Sequence, residues 1–221
     1  MTLDEVRDDV FRRLARGVAD RRSPFRTPAL VTAVVTAQAT TRTTARAAER
    51  AATPASTPAM GGNVRTVVLR SWDVPSRTLT IHSDVRAQKL VEIAALPAVA
   101  LHVWDAGAQI QVRLWGQAHV VGPDETDAAW ARLHPGSRAS YRAALVPGTP
   151  VLDPATLPLL DEDAARQNFA VLAVVVMGME WLHLGRDGHR RARFAWTMDG
   201  MAPDEGATAG LAPDEAAWLV P

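Results

Sequence analysis

The segment 65–70 (Arg-Thr-Val-Val-Leu-Arg) combines two cations with β-branched and apolar residues. Such a composition predicts a strand, in which alternate residues share a face. The two faces would hold Arg65, Val67 and Leu69 on one side, and Thr66, Val68 and Arg70 on the other. Arginines near both ends of one strand could bracket an extended anionic ligand. The alternative is a pair of solvated charges on an edge strand, and the hexapeptide alone favours that alternative.

A second group of polar residues spans positions 82–89, where a strand is expected to pass into a helix. Backbone N–H groups at the start of a helix attract anions, and Ser83 adds a hydroxyl there. Arg86 and Lys89 are three residues apart and would share one helical face. Together these groups predict a phosphate site. An ordinary capped helix with a basic solvent face explains the same residues equally well.

Two later segments add weaker signals. Gln111 lies in an alternating strand pattern and could offer its amide to the polar edge of a ring. A half-exposed strand with its polar face in water is the simpler explanation. Residues 189–193 hold four basic-type side chains within five positions, namely His189, Arg190, Arg191 and Arg193. A ligand role for them requires that they face the same pocket as the earlier groups.

Composition limits the classes of function. The 221 residues include 48% hydrophobic and 22% charged residues, which is ordinary for one soluble globular domain. Lys+Arg and Asp+Glu both total 24, so no overall attraction to nucleic acid or to a membrane is expected. The chain has no cysteine, and its six histidines are not spaced as metal ligands. That spacing predicts no metal site, while the polar opening residues and the lack of a long apolar run predict a cytoplasmic protein.

Apolar periodicity predicts an amphipathic helix over residues 2–17, followed by strands that are joined mostly by short turns. Strands are expected over 29–37, 64–72, 77–82, 99–104, 110–121, 169–177, 180–184 and 191–196. Further helices are expected from Asp84 to about Ala95, from Pro123 through Leu133, and over 140–145. Short turns between neighbouring strands favour an antiparallel sheet that closes into a barrel.

Two stretches differ from this pattern. Residues 38–62 are mostly Ala, Thr, Arg and Pro, with too little apolar surface to offset the entropy of ordering, so we expect a mobile insertion. A short helix over 43–52 is the alternative, because Ala and Arg are good helix formers. The tail 197–217 is rich in Gly, Ala, Pro and acidic residues and is expected to be loose. The whole chain, 1–221, is expected to form a single domain.

In their order and spacing these segments resemble the pyridoxamine 5'-phosphate oxidase-like family of split barrels that bind flavin mononucleotide (FMN). The resemblance runs over residues 63–121 and 168–196, with a weaker match over 130–141. It rests on the Arg-x-Val-x-Leu-Arg strand, the serine and lysine near the strand-to-helix transition, the Gln-Val-x-x-x-Gly strand and the terminal Arg-Phe. It implies a mainly β protein with added helices, folded as an antiparallel split β-barrel with FMN as cofactor.

The resemblance also implies which residues contact the cofactor. Arg65 would lie by the FMN phosphate and Arg70 nearer the isoalloxazine ring. His82 and Ser83 match an aromatic–hydroxyl pair, and Lys89 matches a phosphate-binding lysine. The remaining candidate cofactor residues are Thr66, Val67, Val68, Leu69, Arg86, Gln88, Gln111, Ser137, Arg138 and Arg193.

The family is typically homodimeric with FMN at the subunit interface, which implies the same arrangement here. Ser137 and Arg138 resemble a segment that reaches the flavin of the other subunit. Gln111 matches a flavin-contacting glutamine supplied from a strand, and Arg193 matches an arginine near the ring. Gln88 stands at a position that is usually basic.

Departures from the family pattern concern the substrate. The vitamin B6 oxidases carry an Arg-x-His pair before the final Arg-Phe, and here those places hold His189 and Arg191. Leu182 stands where a tryptophan is expected. Pyridoxine or pyridoxamine phosphate is therefore not expected as the substrate.

The predicted function is an FMN-dependent oxidoreductase. The alternatives are a non-catalytic flavin- or haem-binding module and a deazaflavin (F420)-dependent reductase on the same fold.

Overall fold

The computed structural model describes residues 1–36, 59–197 and 212–221. The helices in these ranges are α1 (Leu3–Ala19), α2 (Gln88–Ala95), α3 (Pro123–Ala131), α4 (Pro135–Arg138) and α5 (Glu162–Asn168). The strands are β1 (Ala29–Thr36), β2 (Ala59–Thr66), β3 (Leu69–Asp73), β4 (Thr78–Asp84), β5 (Ala98–Asp105), β6 (Ile110–Val120), β7 (Phe169–Gly185), β8 (Gly188–Ala195) and β9 (Glu215–Leu219). None of the described helices is long and apolar enough to cross a membrane.

Helix α1 confirms the predicted N-terminal helix. Thr2 and Glu5 form a capping box, in which each side chain accepts a hydrogen bond from the backbone N–H of the other residue. Val6, Val10 and Leu14 recur at helical spacing and are fully or almost fully buried. They belong to the same apolar cluster as the interior side chains of the sheet. The helix therefore covers part of the main core.

The strands form one antiparallel sheet, as predicted. The strand order is β2-β1-β5-β6-β7-β4-β3, while β8 pairs with β7 and β9 pairs with β8. Every one of these pairings is antiparallel. Helices are inserted between strands, so the predicted class of a mainly β protein with added helices is confirmed.

Strand β7 is the branch point of this sheet. It pairs with β6 along most of its length on one side. On its other side, residues 169–175 pair with β4 and residues 178–185 pair with β8. The prediction of two separate strands over 169–177 and 180–184 was wrong, because the ladder with β6 continues through a single bulge between them.

The predicted single strand over 64–72 is two strands with different partners. Strand β2 pairs with β1, and β3 pairs with β4. Between them the Val67 N–H donates to the Pro28 carbonyl at 2.9 Å, and the chain then leaves that ladder. Arg65 and Arg70 therefore lie on strands at opposite ends of the strand order. The prediction that the two arginines bracket a ligand from one strand was therefore wrong.

Strand β2 also corrects the expected insertion. Residues 59–62 pair with residues 33–36 of β1, so they belong to the sheet and not to the insertion. The rest of the insertion, including the alternative helix over 43–52, falls in 37–58, outside the described residues.

Three smaller elements differ from prediction. The helix expected over 140–145 is replaced by α4 and a 3-10 turn at Ala139–Tyr141, since Pro135 favours a helix start. Helix α5 was not predicted. Strand β9 begins within the tail 197–217 that was expected to be loose and continues beyond it, where the Trp218 ring meets the buried Trp181 ring edge-on at 6.5 Å. Residues 198–211 of that tail are outside the described ranges.

The core divides into two apolar clusters. The main one fills the inner face of the sheet, with Leu30, Leu69, Leu114 and Phe194 among its buried residues. A smaller one packs α3, α5 and the loop between them onto the start of β7. Its rings are Trp130, Tyr141 and Phe169, which contact one another at centroid distances of 5.0–5.9 Å. This aromatic cluster supports the site described next.

We expect Gly116→Ala to lower the free energy of unfolding by about 3 kcal/mol. A Cβ at Gly116 would lie 1.8 Å from the Val175 carbonyl oxygen, so β6 and β7 would have to separate at the bulge. Gly61→Ala is the control, because nothing lies within 4 Å of a Cβ there. Urea unfolding followed by tryptophan fluorescence measures both variants. A loss below about 1 kcal/mol at Gly116 would contradict this account of the bulge.

Candidate functional site

A cavity of about 560 Å³ opens between β3, β4, α3 and the loop after α1. We call it the cationic cavity. Its charged or titratable lining residues are Arg21, Arg70, His82, Glu125, Arg132 and His134. Ser137 of α4 also lines it. Three arginines face one carboxylate, so the cavity favours an anionic ligand. Its volume is in the usual range for small-molecule sites.

Two nitrogens of this lining lack partners. Arg70 Nε and His82 Nδ1 are both buried, and neither has a hydrogen-bond partner among the described residues. A buried donor without a partner costs roughly 1–3 kcal/mol, so such groups favour a bound ligand that supplies one. The pKa of the Arg70 guanidinium is lowered, first by burial, while Tyr141 opposes and Arg26 adds to that shift.

His82 is a neutral imidazole in this setting. Burial, followed by the charges of Arg70 and Arg132, lowers its pKa from 6.5 to about 4. Its ring stands edge-on to Phe169, with the centroids 4.9 Å apart. His82 thus joins the cationic cavity to the aromatic cluster that supports it. At neutral pH it offers one donor and one acceptor, and not a charge.

Lys89 provides a separate free cation in the first turn of α2. It is half-buried, and its pKa is lowered first by burial and then by Arg65. Among the described residues, Lys89 takes part in no hydrogen bond or ion pair. The chain has 23 arginines and one lysine, which together make its 24 basic residues, so this position keeps lysine where arginine is the rule. That compositional signal was missed in the sequence.

Arg65 lies beside Lys89 but is already paired. It donates to Glu92 at 2.9 Å and to the Thr32 hydroxyl. Glu92 is 5% exposed and accepts from the Asn63 amide as well. Part of the Arg65 guanidinium is therefore committed to holding α2 against β1 and β2. Its charge still adds to the positive field at Lys89.

Arg86 was predicted to share a helical face with Lys89, and that was wrong. Helix α2 begins at Gln88, its N-cap is Ala87, and no side chain caps it. Asp84, where the helix was expected to begin, accepts from Arg86 Nε and from an Arg86 terminal nitrogen at 2.9 and 2.7 Å. The same guanidinium donates to two backbone carbonyls, those of Ala143 and Ala144. Arg86 thus ties the loop after α4 to the end of β4.

The other candidates near the cavity differ in orientation. Ser83 is buried, and its hydroxyl donates to the Asp84 carbonyl at 3.1 Å. Arg138 lies over the Trp130 ring at 5.2 Å and donates to the Trp130 carbonyl and to Glu162. It supports the aromatic cluster and does not line the cationic cavity. Gln88 and Thr66 are exposed, Val68 is half-buried, and Val67 and Leu69 belong to the core.

Gln111 and Arg193 lie far from the cationic cavity within one chain. His82 pairs with Val171 of β7, whereas Gln111 pairs with Leu182. These two partners, Val171 and Leu182, are eleven residues apart on β7 (171 to 182), which is roughly 36 Å for a straight strand. Arg193 pairs with Glu180, which is only two residues from Leu182, the partner of Gln111. One small ligand cannot touch both groups in the same chain.

Gln111 and Arg193 share the outer face of the sheet with an ordered group of side chains. Glu180, which is 7% exposed, accepts from Arg191 at 2.9 Å and from Arg113. The Arg193 guanidinium lies over the Trp115 ring, 5.5 Å from its centroid. We call this set the outer-face platform; it consists of Arg113, Trp115, Glu180, Arg191 and Arg193. Sequence reasoning gave no site role to Trp115, Arg21 or Arg132, because no local motif joins them to the site.

Part of this chain matches a model of a known protein family. The family model described as "Pyridoxamine 5'-phosphate oxidase, FMN-binding domain" matches residues 28–122. Residues 28–122 of this chain are therefore similar to that FMN-binding domain. The predicted resemblance is therefore confirmed. The match includes the strands that hold Arg70, His82 and Gln111, together with Lys89, and ends before Ser137 and Arg193.

Solved structures of this family's type share the fold. A pyridoxamine 5'-phosphate oxidase-related, FMN-binding protein from Nostoc punctiforme PCC 73102 has a TM-score of 0.65 at 16% identity, covering 97% of this chain and 96% of its own. PhzG from Burkholderia lata 383, solved in complex with tetrahydrophenazine-1-carboxylic acid, has a TM-score of 0.63 at 16% identity, covering 97% and 91%. These likenesses confirm the split-barrel fold. The search of curated proteins found no match.

The residues present fit FMN. The molecule needs a cation for its phosphate and donors for the polar edge of its ring. Lys89 is a half-buried cation without a recorded ion-pair partner in the described chain, and Arg70 and His82 have buried nitrogens without partners. Thus the free polar groups of this region have the chemistry that FMN requires.

His82 should make stability depend on pH. Its pKa is 6.5 when unfolded and about 4 when folded, so the unfolded chain binds the proton first as the pH falls. The native state should lose on the order of 2 kcal/mol between pH 6.5 and 4 on this account, allowing for solvent access. His82→Phe should remove that loss, whereas His189→Gln, which changes an exposed histidine, should not. Urea unfolding at pH 7.5, 5.5 and 4.5 measures it, and equal slopes for all three proteins would contradict the assignment.

Arg86→Ala should loosen the loop over residues 145–158. The substitution leaves Asp84 without its partner and the carbonyls of Ala143 and Ala144 without two donors. We expect a loss of about 2 kcal/mol in the free energy of unfolding and faster cleavage within the loop. Limited proteolysis with mass spectrometry locates the cuts. Arg142→Ala, which removes a single exposed contact to the Leu160 carbonyl, is the matched control. Equal cleavage of the two variants would reject the role given to Arg86.

Proposed function

We propose that this chain binds FMN and acts as an FMN-dependent oxidoreductase. The observation that carries the proposal is the cationic cavity, where Arg70 and His82 present buried nitrogens without partners inside a matched FMN-binding domain. Lys89 would hold the phosphate, with Arg65 adding charge behind it. Arg70 and His82 would donate to the ring end of the cofactor. FMN itself supplies hydride or electron transfer, and the protein supplies binding, orientation and electrostatics.

The proposed active form is a homodimer. Gln111 and Arg193 lie roughly 30–36 Å along β7 from the level of His82, by the residue counts between their ladder partners. They could act on the same cofactor only if a second copy brings its outer face to the cavity. That face includes the half-buried Leu182 and Trp115 and the exposed Leu184, which is consistent with a contact surface. The site would then be built from two chains.

The proposed substrate is a small organic anion, and not a vitamin B6 phosphate. Arg21, Arg70 and Arg132 line the cavity against a single carboxylate, Glu125. Arg191 occupies a position where the vitamin B6 oxidases carry a substrate-contacting histidine, and here Glu180 holds it at 2.9 Å. A committed arginine offers no neutral imidazole to a pyridine ring. A cytoplasmic location remains a prediction from the sequence.

The visible absorption spectrum of the purified protein tests the proposal first. An FMN spectrum, with the released chromophore identified by mass, would support it. Reduction of the bound flavin by NADH or NADPH, followed by reoxidation in air, would support the oxidoreductase. A flavin that neither donor reduces would favour a binding module. A colourless protein that takes up no added FMN would reject the site.

Lys89→Gln should weaken FMN binding by about 10- to 100-fold, the usual range for losing one hydrogen bond to a charged group. The dissociation constant is measured by quenching of flavin fluorescence. Because Lys89 is the single lysine, an amine-selective reagent should label that side chain and the N-terminus, and FMN should protect only Lys89. Arg142→Gln, a change to an exposed cation outside the cavity lining, should leave FMN affinity unchanged. Labelling of Lys89 at the same rate with and without FMN would contradict the phosphate assignment.

A further inference from the structure

Trp115 is seated on a position that only glycine can occupy. The two residues are cross-strand neighbours on β6 and β7. A Cβ built at Gly178 would lie 2.1 Å from the Trp115 ring, far inside contact distance. The indole therefore occupies the space beside the β7 backbone that a side chain at position 178 would fill. The backbone below and β6 beside it restrict where the ring can move.

Arg193 contacts the same indole. Its guanidinium carbon is 5.5 Å from the ring centroid, within the range of a cation–π contact. The indole is thus in contact with the guanidinium and also fills the space beside Gly178. Arginine loses side-chain entropy when it binds a ligand. A fixed aromatic surface beside the guanidinium restricts the side chain before binding, so less entropy is lost on binding.

The charges around Arg193 leave its donors available. Arg113 and Arg191, the neighbouring arginines of the platform, both pair with Glu180. Arg193 takes part in none of the recorded ion pairs or hydrogen bonds of the described chain, and its side chain is exposed. The single carboxylate of the platform thus satisfies two arginines and leaves the third, the one lying on the indole, for a ligand.

We propose that Trp115, seated on Gly178, is a positioning residue that holds Arg193 toward the anionic or carbonyl edge of the cofactor carried by a second copy. The inference rests on the proposed function, because it takes FMN as the ligand and a dimer as the form that binds it. Trp115 acts through Arg193 and does not itself touch the ligand. Loss of either side chain therefore removes one and the same contribution to binding.

A double-mutant cycle on FMN affinity tests this relation. The proteins are the wild type, Trp115→Leu, Arg193→Gln and the double variant, with affinity measured by quenching of flavin fluorescence. We expect each single change to weaken binding by about three- to tenfold. The double variant should bind about as well as Arg193→Gln alone. Trp115→Phe, which keeps a ring under the guanidinium, should recover most of the affinity.

Trp104→Leu is the matched control. It removes an indole from the same outer face, one that is 40% exposed and has no recorded arginine stacked on it. Its FMN affinity should equal that of the wild type. Gel filtration and thermal unfolding of every variant verify that the fold and the assembly are retained, and Trp115→Met, which removes the ring but keeps a long apolar side chain, replaces Trp115→Leu in the cycle if that variant fails to fold.

Additive losses in the double variant would overturn the proposal, because Trp115 would then act independently of Arg193. A loss in Trp104→Leu equal to that in Trp115→Leu would overturn it too, since any indole on this face would do the same. A wild-type protein that binds FMN while Arg193→Gln is unaffected rejects the positioning role and leaves the proposed function standing. A wild-type protein that binds no FMN rejects both.

Discussion

The backbone ladder between β6 and β7 is the constraint on which the arrangement depends. Because β6 stays beside β7 for most of its length, the other edge of β7 is free to pair first with β4 and then with β8. The first part of β7 supports the cavity through β4 and the aromatic cluster. The second part supports the outer-face platform through β8. One continuous strand therefore fixes the separation between two sets of candidate ligand groups.

Carboxylates determine which cations of the site are structural. Glu92 holds Arg65, Asp84 holds Arg86, and Glu180 holds Arg113 and Arg191. The pairs of Glu92 and Glu180 join separate elements of the fold, whereas Asp84 orients Arg86 toward the carbonyls of Ala143 and Ala144. Arg70, Lys89 and Arg193 take no part in any recorded ion pair within the described chain. The distribution of a few acids thus separates the scaffold from the residues left for a ligand.

Much of the fold could be predicted from local patterns, because periodicity and turn residues are local properties. The helix over 2–17 and the strands of the β5–β6 hairpin have nearly the predicted bounds. What failed depended on partners distant in sequence. The run 64–72 looks continuous in the sequence, but its first half pairs with β1 and its second half pairs with β4. Strand β9 exists because β8 offers an edge and Trp181 offers a ring, and neither is visible in the tail itself.

The candidate site divides in the same way. Motif spacing drew attention to Arg70, His82 and Lys89, which stand on neighbouring elements of a local β-α unit, and their contact with a cofactor stays a prediction. The orientation of Arg86 could not be read from spacing, because the three-residue interval to Lys89 has its expected meaning only inside a helix, and α2 starts later. Arg21 and Arg132 reach the cavity from elements far along the chain. The meeting of these two arginines at the cavity cannot be predicted from the sequence alone.

The contact between Gly178 and Trp115 also limits how this protein can change over generations. A side chain at position 178 and an indole at position 115 would occupy the same space, with 2.1 Å between the added carbon and the ring. A lineage that replaces the glycine by a bulkier residue must replace the tryptophan before it or at the same time. The two positions are therefore expected to covary among descendants of this chain, although 63 residues separate them (115 to 178).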